Sequence, residues 1–528
     1  MKRALLIFSC CCLLALIALP GVYAQDLGET TFANSGADEA QDAFLRGILL
    51  LHSFEYEDAR EAFQEACRID PDFAMAYWGE AMSHNHPVWM SQETNDARDV
   101  LKALGATSEE RLAKAPTARE KDYLRAADIL YAEGEKEARD DAFAEAMQRL
   151  AERYPDDLNA AAFYALALLG TSHEGRDYAT YMRAASVAEE VFAENPKHPG
   201  AAHYLIHSYD DPVHAPLGLR AARVYAQIAP SATHALHMPS HIFVALGMWD
   251  DVVSSNEESW AASDARVQAK DLSINQRSYH ALSWLMYGYL QQGRYRDAHA
   301  MLDTMQHDHQ ADESGSTRHY LTAMRAAYVM ATENWDGDAM DIEIDAAKLG
   351  LESAATELFI EGVAALETDR RADAEAASQA LAGRLKEADG QRGREPASIM
   401  ADQLEALLLL DAEETDDALA MLEQAAVAED AMSFDFGPPS PVKPAHELYG
   451  DVLLDLNRPA EAQVQYTLAL ARTPKRAQAL LGLARAATQA GDDATAQHAY
   501  ADLRAIWHSA DEDLTALQEV SAILGEAR

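Results

Sequence analysis

The stretch PAHELYGDVLLDLNRPAEAQVQYTLALARTP, residues 444–474, decides how this chain folds. Apolar residues recur three and four apart through two blocks on either side of the turn signal LNRP, the pattern of two amphipathic helices in a hairpin. Small residues at Gly450 and Ala462 let the two helices approach closely, Tyr466 and Ala469 fill the seam between them, and Pro474 stops the second helix. Ala484, Ala496 and Tyr500 then stand 34 residues beyond Gly450, Ala462 and Tyr466, in phase and without an insertion. The same spacing holds Gly47, Ala59, Phe63, Ala66 and Pro71 near the other end of the chain. Weaker copies pair Gly293 with Ala298, Gly362 with Ala374 and Ala406 with Ala418.

Small residues at positions 8 and 20, an aromatic at 24, Ala at 27 and Pro at 32 of a 34-residue unit resemble the tetratricopeptide repeat. The expected fold class is all-α, an α-solenoid of tetratricopeptide-like helical hairpins from about residue 40 onward. Residues 25–39 form an N-terminal extension, 40–87 a pair of repeats, and 88–140 a helical insertion where the pattern lapses. A central block at 141–305 contains a cluster of histidines, and degenerate repeats fill 306–432. A Pro/Gly loop at 433–443 precedes the C-terminal pair and terminal helix at 444–528.

Residues 1–24 read as a signal peptide. Lys2 and Arg3 precede an apolar run from Ala4 to Leu19, and the small-residue site Val22, Tyr23, Ala24 follows a Pro-Gly break. The run is shorter than the ~20 residues of a spanning helix, so the mature protein is expected to be exported, periplasmic or secreted, and not an integral membrane protein. Three of the four cysteines leave with the signal and only Cys67 stays, which excludes an internal disulfide and a multi-thiolate metal site. A formal charge of −44 repels phosphate backbones, so nucleic acid is not an expected partner.

Two stretches, HYLIH at 203–207 and HALHMPSH at 234–241, carry five of the 19 histidines. Pro196 and Pro230 each fit position 32, so new repeats begin at Pro199 and Thr233, and Gly247 then falls at the turn position 15. This register, set from outside the histidines, puts His203 and His207 at positions 5 and 9, and His237 and His241 at 5 and 9 of the next repeat. His234 and His280 both fall at position 2. The tetratricopeptide resemblance implies that positions 2, 5, 9, 12 and 13 face a concave groove. It places Trp78, Met82, Asn85 and His86 there too, with Asp210 and Asp211 at 12 and 13 of the His203 repeat.

Imidazoles spaced i, i+4 share one helical face and can bind one metal ion. Two such pairs on neighbouring helices offer four nitrogens, His234 a fifth, and Asp210 or Asp211 a carboxylate. Nitrogen and oxygen ligation without thiolate suits Fe, Cu, Zn or Mn. HYLIH lacks the Glu of HExxH, and the chain has no GxSxG, Gly-rich phosphate loop or CxxC, so nothing supports nucleophilic catalysis by Ser or Cys.

Nearly all of the mature chain is similar to a bacterial family of exported tetratricopeptide proteins. The likeness rests on WGEAM (Trp78 to Met82), NHP (Asn85 to Pro87), HxxxH (His203 to His207), HMPxHI (His237 to Ile242), GPP (Gly437 to Pro439), PAHELYGD (Pro444 to Asp451) and LLGLARAA (Leu480 to Ala487). It implies the fold and the unity of the histidine region, not a reaction. Two functions remain open: a metal-binding solenoid, enzyme or carrier, and an interaction scaffold that grips a protein or peptide in a His- and Trp-lined groove without metal.

Overall fold

The computed structural model describes residues 26–525 except 389, 392 and 435; the expected signal segment, 1–24, lies outside them. Among the described residues the chain is an α-solenoid of helical hairpins, and its only strands are the two-residue pair Asn85–His86 and Ser91–Gln92. The first repeat joins Gln41–His52 to Tyr56–Ile69, and the C-terminal pair joins Ala445–Asp455 to Pro459–Arg472 and Ala477–Ala490 to Asp493–Ile506.

The backbone itself marks the repeat. Position 15 is the turn between the two helices, and seven copies take the left-handed conformation there: Phe54, Gly247, Gly293, Asp369, Glu413, Asn457 and Gly491, with φ between 56° and 77°. Only three of these are glycine, so the hairpin geometry holds the other four where their side chains are disfavoured. Position 8 needs its small residue for contact. A Cβ on Gly47 would lie 2.7 Å from the Phe63 ring at position 24, and one on Gly450 would lie 2.9 Å from Tyr466.

The superhelix closes on itself. In the first turn His52 accepts at Nδ1 from the Tyr204 hydroxyl (2.9 Å), while its Nε2 reaches Asn159 Oδ1 at 3.0 Å. Residues 26–36 run along this seam with Leu27 and Phe32 buried, pinned where Asn159 donates to the Thr31 carbonyl (2.8 Å) and Glu29 N–H to that of Lys197 (2.9 Å). The C-terminal repeats fold back on the middle: Trp249 Nε1 donates to the Lys475 carbonyl (2.9 Å), Arg476 to the Tyr287 hydroxyl (3.1 Å) and Trp507 Nε1 to the Gln291 carbonyl (3.0 Å). The loop before them crosses the concave side, with Ser433 Oγ accepting from Arg176 N–H (2.7 Å) and Phe436 lying 5.0 Å from the His241 ring. The groove expected to be open is therefore enclosed at the histidines: His203, His207, His237 and His241 are all at most 4% exposed.

Candidate metal centre

His203 and His207 stand one turn apart on the helix Pro199–Ser208, started by Pro199 in its first turn and by the His198 ring, which accepts from Ala201 N–H (3.2 Å). The second pair is built differently. Pro239 has no N–H to give the Ala235 carbonyl, so the repeat helix divides into Thr233–His237 and Pro239–Ala245. The His237 and His241 planes consequently meet at 79°, against 41° for His203 and His207. In both pairs the Nε2 atoms are 3.1 Å apart.

The six rings sort into two groups of three. One nitrogen from each of His203, His207 and His234 lies within 4.8 Å of the other two, and His237, His241 and His280 do the same. The triads abut, with His207 5.7 Å from His241 and His234 6.0 Å from His237 between ring centroids. Where the spacing suggested four nitrogens around one ion, the structure places His280 with His237 and His241 and gives two groups of three nitrogens, each of which could hold an ion.

The other ring nitrogens reveal the tautomers. His203 Nδ1 meets the His52 carbonyl at 2.8 Å, and a carbonyl only accepts, so Nδ1 carries the proton. Asn256 donates through Nδ2 to the Val252 carbonyl (2.7 Å), which turns its Oδ1 to His237 Nδ1 at 2.6 Å. His241 Nδ1 donates to Asp210 at 2.5 Å. His203, His237 and His241 therefore present bare Nε2 lone pairs to the interior, held by the outer hydrogen bonds typical of metal-bound imidazole. His234 Nε2 is buried with no hydrogen-bond partner.

Asp210 and Asp211 do not reach the ligand positions. Asp210 sits behind His241, and burial pushes its carboxyl up to about 7 against the pull of Arg176. Asp211 caps its own loop, receiving the N–H groups of Val213 and His214 (both 3.0 Å) and the His214 ring (2.9 Å). Arg176 approaches Asp211 at 3.4 Å and donates to the His207 carbonyl at 3.2 Å.

The second repeat departs from the groove positions expected for it, because its first helix, Ala74–Met82, ends early and turns into the strand pair Asn85↔Gln92 and His86↔Ser91. Trp78 packs in the core, 5.0 Å from Tyr123 and 5.5 Å from Phe163. Met82 and Asn85 line a small crevice with Tyr56, and His86 stacks on Tyr56 at 4.2 Å, outside both triads.

The enclosure is aromatic. Phe54 lies 4.2 Å from His203 and 5.6 Å from His234, while Trp284 lies 4.9 Å from His237 and 4.4 Å from His241. Burial first, and neighbouring imidazoles next, hold His203, His207, His234, His241 and His280 well below the usual histidine range, and His237 at about 3. Neutral imidazole is the form that binds metal. Asn256, Phe54 and Trp284 occupy none of the groove positions 2, 5, 9, 12 and 13, which is why the spacing of the histidines does not point to them.

The tetratricopeptide repeat family matches the chain over residues 40–73. Solved structures similar to it include the human IFIT1 dimer with m7Gppp-AAAA (14% identity, 92% of each chain, TM-score 0.36), Cut9–Hcn1 of the APC/C (11%, 94% of this chain and 78% of that one, 0.34) and yeast Tom70 (14%, 92% and 96%, 0.30). No curated protein matches. The fold is an α-solenoid of tetratricopeptide-like helical hairpins. No helix among its described residues is long and apolar enough to cross a membrane.

Proposed function

We propose that this is an exported tetratricopeptide solenoid that binds transition-metal ions, one in each histidine triad. The observation that carries the reading is the His237–His241 pair. His237 Nδ1 meets the Asn256 oxygen and His241 Nδ1 meets Asp210, so with Asp210 ionised both rings carry their proton on Nδ1 and two lone pairs face each other at 3.1 Å. A shared cation relieves that repulsion. Two nitrogens at 2.0–2.1 Å from a tetrahedral ion stand about 3.3 Å apart, close to the spacing already present.

Imidazole-only ligation favours copper, which heads the affinity order for nitrogen sites, then zinc and iron; manganese prefers carboxylate oxygen. Three ligands leave a position on each ion for water or a small molecule, and aromatic rings screen it. The scaffold reading needs a groove to receive a peptide, and at the histidines that space is taken by the loop carrying Phe436.

The test is metal content by mass spectrometry of protein exported by its own signal, beside single-triad variants. The expected result is two equivalents in the natural protein, about one in His203→Ala or in His237→Ala, and none in the double variant. No metal after reconstitution with Cu, Zn and Fe overturns the proposal.

A further inference from the structure

Beside the second triad lies a partly open cavity of about 230 Å³. The helices Tyr279–Gln291 and Gly315–Thr332 and the loop around Pro438–Ser440 wall it. His280 and Trp284 belong to both spaces: His280 supplies a nitrogen to the triad, Trp284 packs on His237 and His241, and both rings line the cavity. Whatever occupies the cavity is one side chain away from the metal centre.

Its walls describe the occupant. Trp284, Leu290, Tyr320, Met324 and Ala327 form an apolar, largely aromatic and thioether lining suited to a flat ring. A cavity of about 150 Å³ holds benzene, so this one has room for a single substituted ring. The polar groups gather at His319, Ser353, Glu352 and Ser440: the His319 ring bonds Ser353 Oγ at 2.9 Å, and Ser440 donates to Glu352 at 2.6 Å. Arg476 also lines the cavity, but its guanidinium is paired with Glu447 at 2.6 Å. The Glu352 carboxylate among imidazole and hydroxyl groups then favours a hydroxyl donor over an anion, and the net charge of −44 acts in the same direction.

We propose that this cavity binds a small phenol, one aromatic ring bearing a hydroxyl, with the ring among Trp284, Tyr320 and Met324 and the hydroxyl towards Glu352 and His319. The assignment rests on the metal-centre reading for its purpose, since His280 links the two spaces, but binding itself needs no ion.

The experiment is a fluorine NMR titration with 4-fluorophenol on the whole exported protein, first metal-free, then loaded with Zn or Cu(II). Saturable binding is expected, weakened at least about tenfold by Ala327→Phe, which fills the cavity, with 4-fluorobenzoate at least about tenfold weaker than the phenol. Ala323→Phe, on the same helix face, replaces Ala327→Phe should the latter lower the melting temperature. Copper should broaden the bound fluorine signal beyond zinc, and His280→Ala should remove the excess. No saturable binding to metal-free protein, binding that survives both filling variants, preference for the benzoate, or no excess broadening in copper-loaded protein each overturns the assignment. A protein that binds 4-fluorophenol as described and takes up no metal overturns the metal centre and leaves the cavity assignment standing.

Discussion

His237 and His241 face each other with Nε2 atoms 3.1 Å apart, while their Nδ1 atoms meet Asn256 Oδ1 at 2.6 Å and Asp210 at 2.5 Å on the far side. Such a pair is stable in a buried site when a cation lies between the lone pairs. Metal removal should therefore lower the melting temperature. An ion at 1,000 times its Kd stabilises the fold by about 4 kcal/mol, so chelated protein should melt several degrees lower and recover on adding copper. Calorimetry with and without chelator checks this, and identical curves would count against a metal centre.

The outer hydrogen bonds should matter almost as much as the ligands. Asn256→Leu removes the acceptor that keeps the His237 proton on Nδ1, and should weaken the second site about 10- to 100-fold. Asn256→Asp keeps an oxygen in place and should retain binding. Competition against a calibrated chelator measures both, and equal affinities in the two variants would show that Asn256 does not set the tautomer.

The repeat was legible in the sequence because its physics is local. A glycine or alanine at 8 and 20 and an aromatic at 24 are read directly from spacing, and the left-handed turns at Asp369 and Glu413 fall where even the weak copies put position 15. Closure was not legible. It depends on contacts between residues hundreds of positions apart, such as Trp249 with Lys475 and Arg476 with Tyr287, and these carry no periodic signal. The histidines show both sides: their recurrence in the sequence matches their gathering in space, but their division into two groups of three depends on the break at Pro239 and on how adjacent repeats pack. Asp210 and Asp211 were at the expected positions and had a different task, because their carboxyl groups meet Nδ1–H and loop N–H donors before they can reach the interior.

Gly450→Ala tests the seam. Its added methyl would lie 2.9 Å from Tyr466, whose hydroxyl is held by Asp451 at 2.6 Å, so the ring cannot easily move away. Overpacking of this kind costs about 1–3 kcal/mol, against about 1 kcal/mol gained in helix propensity. A net loss is expected in urea unfolding. A variant as stable as the natural protein would mean that the hairpin can open to admit the methyl.

Acid should loosen the clasp that closes the solenoid. Glu447 is buried between Arg476 (2.6 Å) and Lys443 (3.0 Å), and Arg476 in turn donates to Tyr287. Burial alone would raise the Glu447 carboxyl, but Arg476 and Lys443 outweigh it and hold the group at about 2, below its ordinary 4.5. Between those values the unfolded chain binds more protons than the folded one. The stabilisation is therefore complete above pH 4.5 and is lost as pH falls towards 2. Glu447→Gln leaves the buried Arg476 without its counter-charge, and Lys443 with Asp451 alone at 2.6 Å, and should cost about 3–5 kcal/mol at neutral pH. Because the natural protein loses the same charge in acid, the stability gap between the two should shrink as pH falls below 4.5. Paired urea titrations at neutral and acidic pH measure the gap, and a gap that stays constant would show that Glu447 is not the group whose charge holds the C-terminal repeats against the histidine region.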